Sequence, residues 1–260
     1  MDLETVGKTA LSAAREAGGI LMDRLGKARV VRQKGAIDLV TEADLASEKA
    51  ILERITGAFP DHAVLAEEKG SMAKESPYTW IVDPLDGTTN YAHRIPLFTI
   101  SIAFAREADI LFGLVYNPAM DELFRAEKGK GAFLNDEPIT VSGVGELSNS
   151  LLVTGFPYNL ATMLDELVER FGRCLAASQG VRRLGSAALD LCYVACGRFE
   201  GFWEQNLHPW DTAAGTLIVE EAGGRVTTFD KGPYTPYEKQ ILATNGRIHD
   251  MLSSVLTAEE

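Results

Sequence analysis

Asp83 and Asp86, three residues apart behind an apolar stretch, have the types and spacing to do metal chemistry. The stretch Trp80–Val82 predicts the end of a buried strand, and Pro84 bends the chain so that both carboxylates can meet at one point. The Gly-Thr-Thr step at 87–89 adds backbone N–H groups and hydroxyls at a predicted helix start, where anions bind favourably. Carboxylates that face phosphate-type donors indicate a divalent cation between the protein and a phosphate.

The surrounding sequence distinguishes this interpretation from a plain helix-capping turn. A lone D-x-x-D-G pattern is typical of an Asx turn, but the complete run WIVDPLDGTTNY, residues 80–91, resembles the first signature of the inositol monophosphatase family of metal-dependent, lithium-sensitive phosphatases. A second run, HPWD at 208–211 with Gly215 four residues further on, resembles the second signature of that family. Both signatures occur in the expected order.

The resemblance extends over essentially residues 5–255 without a large insertion. KGAIDLVTEAD at 34–44 resembles the mobile loop and acidic helix start of the family, and AEE at 66–68 resembles the segment with its first metal-binding glutamate. RRLGSAALDL at 182–191 resembles the glycine-turn helix that contacts substrate, and WEQNLHPWD at 203–211 places a glutamate where the family has a sugar-hydroxyl contact.

By resemblance, five residues supply oxygen ligands to two Mg²⁺ ions. The first ion takes Glu67, Asp83, Asp86 and the Leu85 carbonyl, and the second takes Asp83, Asp86 and Asp211. Lys34 either helps to hold a third, weakly bound Mg²⁺ through waters or covers the site. Two or three Mg²⁺ ions per subunit are therefore expected, with Mn²⁺ as a substitute.

The resemblance also assigns catalytic and substrate-binding roles. Glu67 with Thr88 orients or deprotonates the attacking water, and Asp44 hydrogen-bonds to Thr88 and tunes it. Gly87 and Thr88 donate to the phosphate, and the glycine-turn helix and Glu204 face the alcohol portion. The expected substrate-binding set is Asp86, Gly87, Thr88, Gly185, Ser186, Ala187 and Glu204.

The residue types support this chemistry independently. No histidine or cysteine occupies a ligand position, and an all-oxygen site selects Mg²⁺ or Mn²⁺ over zinc. No serine, cysteine or histidine stands where a phosphoenzyme nucleophile is expected, so direct in-line attack by water is favoured. His208 adjoins Asp211 but is interpreted as a helix-flanking residue, and Arg182-Arg183 either steers an anionic substrate or forms exposed ion pairs.

The function predicted is a Mg²⁺-dependent phosphomonoesterase that acts on inositol monophosphates. The same mechanism on fructose-1,6-bisphosphate, histidinol phosphate or 3′-phosphoadenosine 5′-phosphate is the alternative, because fold does not settle substrate. Glu204 favours a polyol, and the sequence shows no obvious aromatic pair for an adenine. A non-catalytic binding protein is disfavoured because every ligand position carries an oxygen donor.

Composition limits the partners and the compartment. The 260 residues are 46% hydrophobic and carry a net charge of −12, which argues against nucleic acid or anionic membrane as a partner. The three cysteines, Cys174, Cys192 and Cys196, form no disulfide or metal pattern, and the acidic N-terminus does not suit a secretory signal. A cytoplasmic enzyme is expected, and the family resemblance implies a homodimer.

Layered helices and sheets must position these residues. Periodicity predicts amphipathic helices at 3–25 and 42–58, a strand at 79–83 and an antiparallel meander over 97–141, followed by alternating strands and helices. We expect an α/β (layered α+β) fold in one catalytic domain, 1–260, with a mixed half at about 1–145 and an α/β half at about 146–260. The resemblance specifies an αβαβα sandwich of the inositol monophosphatase and fructose-1,6-bisphosphatase type.

Overall fold

The structure, a computed structural model, describes residues 2–28, 30–33, 39–157 and 162–258. Seven α-helices lie in these ranges: α1 (Leu3–Arg24), α2 (Glu42–Ala58), α3 (Thr88–Ala92), α4 (Leu164–Ala177), α5 (Ala187–Ala195), α6 (Pro209–Glu221) and α7 (His249–Thr257). None of them combines the length and apolar character that a membrane span requires.

The same ranges contain fifteen strands. Those of the first half are β1 (Val30–Gln33), β2 (Leu39–Thr41), β3 (Ala63–Ala66), β4 (Gly70–Met72), β5 (Tyr78–Asp86), β6 (Thr99–Arg106), β7 (Asp109–Asn117), β8 (Glu122–Glu127), β9 (Ala132–Leu134) and β10 (Glu137–Ile139). Those of the second half are β11 (Leu151–Thr154), β12 (Gly180–Arg182), β13 (Gly201–Gln205), β14 (Arg225–Thr227) and β15 (Gln240–Thr244).

An eight-stranded sheet organises the first half, in the order β10-β9-β8-β7-β6-β5-β3-β4. Strands β6 to β10 form the antiparallel meander predicted over 97–141, and β5 pairs antiparallel with β6. Strand β3 runs parallel to β5, with Ala66 opposite Val82. The carboxyl ends of these two strands therefore lie side by side, which brings the glutamate after β3 next to the aspartates of β5.

The predicted end of β5 was wrong in its detail. The strand does not stop at Asp83 but continues to Asp86, and its pairing with β6 shifts register between these two residues. Pro84 lies inside the irregular stretch and has no N–H to donate to a ladder. Both aspartates thus stand on a bulged strand end, and a bulge is a common way to aim side chains into a site.

The remaining elements complete the predicted layers. Helices α1 and α2 cover one face of the large sheet, and α5 and α6 cover the other. A five-stranded sheet, β12-β11-β13-β15-β14, packs on the far side of α5, and α4 and α7 close its outer face. The order helix, sheet, helix, sheet, helix confirms the αβαβα expectation and places α5 between the two sheets.

Candidate active site

A cavity of about 570 Å³ opens where the two signature segments meet. It brings together residues from β5, the turn after β3, α5, β13 and α6. Of the predicted site residues, these line it: Glu67, Asp83, Leu85, Asp86, Gly87, Thr88, Gly185, Ser186, Ala187, Glu204 and Asp211. Asp44 lies behind this wall, where its Oδ1 accepts a hydrogen bond from Thr88 Oγ1 at 3.1 Å. The part with Glu67, Asp83, Asp86 and Asp211 is called the carboxylate end below, and the part with Glu204 the alcohol end.

Hydrogen bonds fix one oxygen of each aspartate at the carboxylate end. Asp83 Oδ1 accepts from the Leu85 N–H at 2.9 Å. Asp211 Oδ2 accepts from the His208 N–H at 2.7 Å and so caps the start of α6. Asp86 Oδ2 accepts from Ser186 Oγ at 2.7 Å and from the Ala188 N–H at 2.8 Å, which joins β5 to the start of α5.

Burial and mutual repulsion make it unfavourable for these carboxylates to carry negative charge without a cation nearby. Burial raises the pKa of Asp83 well above its usual range, and the negative charges of Glu67, Asp86 and Asp211 raise it further. Burial, followed by repulsion from Asp86 and Glu67, raises the pKa of Asp211 in the same way. Burial raises the pKa of Asp86 to about 6, although its donors on α5 oppose the shift. A cation among these groups would relieve the desolvation and the repulsion together.

The donor set at the carboxylate end fits a hard divalent cation. Its side chains are carboxylates, and Leu85 adds a carbonyl oxygen on the cavity wall. Oxygen donors of this kind suit Mg²⁺ and Mn²⁺. Across the described ranges, no three or more His, Cys, Asp or Glu side chains are already closed into a metal cluster. The four carboxylates line one cavity together.

A left-handed glycine turns the chain into the donor segment. Gly87 has φ of 87° and precedes α3, and a Cβ there would lie 2.9 Å from the Leu97 carbonyl oxygen. The first N–H groups of a helix have no partner within it, and Gly87 and Thr88 at the start of α3 line the cavity. Thr88 Oγ1 lies 3.0 Å from the Leu85 carbonyl oxygen as well as near Asp44. Burial raises the pKa of Asp44 to about 6, against the hydrogen bonds that lower it.

The alcohol end contains two buried acids. Glu204 on β13 is 7% exposed and packs so closely on Gly155 that a side chain at 155 would overlap its carboxylate. Burial raises the pKa of Glu204 to about 8, opposed by the positive charge of Arg183. Asp190 on α5 is 1% exposed and borders the cavity, and neither of its carboxyl oxygens has a hydrogen-bond partner in the described structure.

Comparison with known proteins identifies the family and the fold. Residues 2–259 match the inositol monophosphatase family. The chain belongs to this family. It is 48% identical to an inositol-1-monophosphatase of Synechocystis sp. over 259 residues, which cover 99% of this chain and 90% of the relative. The protein is accordingly a phosphatase of the inositol monophosphatase family.

Two other matches show the range of names among its relatives. The solved structure of an inositol monophosphatase from Anabaena (Nostoc) sp. superposes with a TM-score of 0.90 at 46% identity, over 98% of this chain and 96% of that one. A putative Nus factor SuhB of Neisseria meningitidis serogroup B is 41% identical over 253 residues, 96% of this chain and 97% of the relative.

Several residues of this family site were not predicted from the sequence. Phe156 and Trp210 line the cavity, and the Trp210 ring stacks on His208 with centroids 4.7 Å apart. The sequence showed no obvious aromatic pair for an adenine, whereas the structure brings these two aromatic side chains to one cavity. Their segments, GFP and HPW, carried no periodic signal that places the rings. Lys34 lies outside the described residues.

Helix α2 contributes two polar residues that were also missed. Ser47 and Glu48 are fully or almost fully buried, and both hydrogen-bond to segments of the carboxylate end. With Asp44 they form an i, i+3, i+4 set on one helix face. That spacing of polar residues on the buried face of an amphipathic helix was the available signal.

Proposed function

We propose that this family phosphatase is a Mg²⁺-dependent phosphomonoesterase that hydrolyses inositol monophosphates to inositol and phosphate by in-line attack of water. One observation carries the proposal. A single cavity is lined by Asp83, Asp86 and Asp211, by Glu204 and by the Gly87–Thr88 turn. The names of the Synechocystis and Nostoc relatives support the same substrate.

Each end of the cavity would handle one part of the substrate. Glu67, Asp83, Asp86, Asp211 and the Leu85 carbonyl would hold Mg²⁺. When bound, the metal would neutralise phosphate charge and make a nearby water more acidic. The backbone N–H groups of the Gly87–Thr88 turn would bind phosphate oxygens, whose charge develops in the reaction.

Thr88 and Asp44 would work with Glu67 on the water. The Thr88 hydroxyl donates to the Asp44 carboxylate, so its oxygen remains an acceptor for a proton of the attacking water. Glu67 would take a proton as the water oxygen bonds to phosphorus, the bond from phosphorus to the alcohol oxygen would break in the same step, and the departing oxygen would be protonated by a water molecule. Glu204 would hydrogen-bond a hydroxyl of the alcohol, and this contact orients the leaving oxygen away from the attacking water.

A nucleotide is the second candidate substrate, because the structure places aromatic side chains on the cavity wall. The Trp210 and His208 rings stack with an interplanar angle of 17°, and Phe156 lies on the same cavity. A base could pack on such a surface while its phosphate occupied the carboxylate end. Fructose-1,6-bisphosphate and histidinol phosphate stay open under the same mechanism.

Phosphate release measured with and without metal tests the proposal. We expect activity with Mg²⁺, partial activity with Mn²⁺ and inhibition by Ca²⁺, because Ca²⁺ is larger and takes more ligands. A panel of inositol 1-phosphate, fructose-1,6-bisphosphate, histidinol phosphate and 3′-phosphoadenosine 5′-phosphate at equal Mg²⁺ then ranks the substrates. Full activity after exhaustive chelation would contradict the metal mechanism. A higher kcat/KM on the nucleotide than on inositol 1-phosphate would contradict the proposal that the substrate is a polyol phosphate.

The family resemblance supports two further properties. We expect inhibition by Li⁺ under the same assay and a homodimer in solution. Light scattering on a size-exclusion column measures the mass of the particle, to be compared with 28.2 kDa for one chain.

A further inference from the structure

Helix α2 touches both strand ends that carry the carboxylate end of the cavity. Its buried polar face consists of Asp44, Ser47 and Glu48, which are 1%, 0% and 2% exposed. Buried polar groups are costly unless they are hydrogen-bonded, so the partners of such a face show what the helix is for. Asp44 is already assigned to Thr88, whereas nothing above gives Ser47 and Glu48 a role in the reaction.

Ser47 and Glu48 bind the two segments separately. Ser47 Oγ donates to the Pro84 carbonyl oxygen at 2.7 Å, inside the bulge between Asp83 and Asp86. Glu48 Oε2 accepts from the Glu68 N–H at 2.8 Å and from the Lys69 N–H at 3.3 Å, directly after Glu67. One turn of one helix thus ties the aspartate bulge and the glutamate turn to a common support.

We propose that Glu48, assisted by Ser47, is a positioning residue that fixes Glu67 relative to the aspartates and so sets the affinity of the site for Mg²⁺. This inference rests on the function proposed above. Glu48 uses its carboxylate on backbone N–H groups and is not itself a ligand. Charged acceptors make hydrogen bonds about twice as strong as neutral ones. A buried glutamate is therefore suited to hold the turn that carries Glu67, whose side chain must not move.

Removal of the Glu48 acceptor should weaken metal binding more than it harms turnover. In Glu48→Ala, the N–H groups of Glu68 and Lys69 lose this acceptor and the Glu67 turn loosens. We expect the Mg²⁺ dissociation constant, measured by titration calorimetry, to rise about tenfold or more. Amide hydrogen exchange at Glu68 and Lys69 should accelerate, while kcat at saturating Mg²⁺ recovers most of its wild-type value.

Matched variants separate positioning from general damage. Glu53 lies on the same helix but is exposed, with only a 3.8 Å ion pair to Lys49, so Glu53→Ala should leave both readouts unchanged. Glu48→Gln keeps the shape with a neutral acceptor and should raise the dissociation constant about threefold. If Glu48→Ala does not fold, Glu48→Gln alone tests whether Glu48 positions Glu67. Ser47→Ala should give a smaller rise than Glu48→Ala, because it breaks one neutral hydrogen bond.

The outcomes distinguish this inference from the proposed function. A wild-type enzyme that binds Mg²⁺ and hydrolyses substrate, with an unchanged Mg²⁺ constant in Glu48→Gln and any folded Glu48→Ala, would overturn the role of Glu48 alone. A lower kcat at saturating Mg²⁺ with an unchanged constant would also overturn it. A wild-type enzyme that neither binds Mg²⁺ nor needs it would remove the proposed function and this inference with it.

Discussion

The carboxylate end and the alcohol end of the cavity are held in different ways. At the carboxylate end, backbone and hydroxyl donors fix Asp83, Asp86 and Asp211, at distances of 2.7–2.9 Å. At the alcohol end, Glu204 is buried against Gly155, and Asp190 has no hydrogen-bond partner for either oxygen in the described ranges. Hydrogen bonds hold the first end in place, whereas the second contains a buried acid, Asp190, that has none in the described ranges.

We infer from this difference that the carboxylate end sets the type of reaction and the alcohol end sets the choice of substrate. The aspartates take their positions from a strand bulge and a helix start, which are local features of the chain. The alcohol end holds the groups that would contact the alcohol, so its composition can change while the carboxylate end stays the same. Variants at each end should therefore fail in different ways.

Asp86→Asn should produce the largest loss, because Asp86 belongs to both proposed metal sites. The amide oxygen can still accept from Ser186 Oγ and the Ala188 N–H, so β5 should remain joined to α5. We expect kcat/KM to fall at least about a thousandfold, with the melting temperature unchanged or higher without Mg²⁺. The exposed Asp136 is the control, and Asp136→Asn should have wild-type kinetics. Near-normal turnover in folded Asp86→Asn would remove this residue from the site.

Glu204→Ala should separate the two ends by substrate. Because the raised pKa of Glu204 favours its neutral form, its hydrogen bond to a substrate hydroxyl contributes about 0.5–1.5 kcal/mol, or roughly two- to tenfold in kcat/KM. We expect this loss on inositol 1-phosphate and a much smaller one on glycerol 2-phosphate, with the Mg²⁺ requirement nearly unchanged. The measurement is kcat/KM for both esters across a Mg²⁺ titration. Equal losses on both esters, or a shifted Mg²⁺ requirement, would assign Glu204 to the metal centre or the fold.

The difference between features set by local sequence motifs and features set by packing between distant segments explains what could be predicted from the sequence. Asp83 and Asp86 were predicted as site residues from their position behind an apolar stretch, and Asp211 from the resemblance of HPWD to the second family signature. The layered fold was predicted from hydrophobic periodicity. The bulge that carries β5 on to Asp86 was not predicted, since its register depends on pairing with β6. The three-residue strand β12 is too short to show an alternating pattern.

Residues outside the motifs depended on packing between distant segments. Asp190 lies within a segment already compared with the family, yet its burial follows from α5 being placed between two sheets. Phe156 reaches the cavity from the end of β11, and no sequence period marks that position. Glu48 had a detectable signal in its spacing from Asp44, but its partners follow β3, twenty residues away.

Asp190→Asn should have the smallest effect and the most specific signature, because it tests whether the alcohol end carries an unsatisfied acid. Burial, and then repulsion from Glu204 and Asp86, raises the pKa of Asp190 well above its ordinary value of 3.8. A raised pKa means that the folded protein binds the proton more tightly than the unfolded chain does. The free energy of unfolding of the wild type therefore falls as pH rises above about 4.

Asparagine at position 190 cannot ionise, and its unpaired amide changes the free energy of unfolding by an amount that does not depend on pH. The free energy of unfolding of Asp190→Asn minus that of the wild type should therefore increase with pH, by about 1–3 kcal/mol between pH 5 and pH 8. Denaturant titrations of both proteins without Mg²⁺ measure this difference. A difference that is constant with pH would mean that Asp190 is satisfied in the folded protein. The contrast between the two ends of the cavity would then be lost.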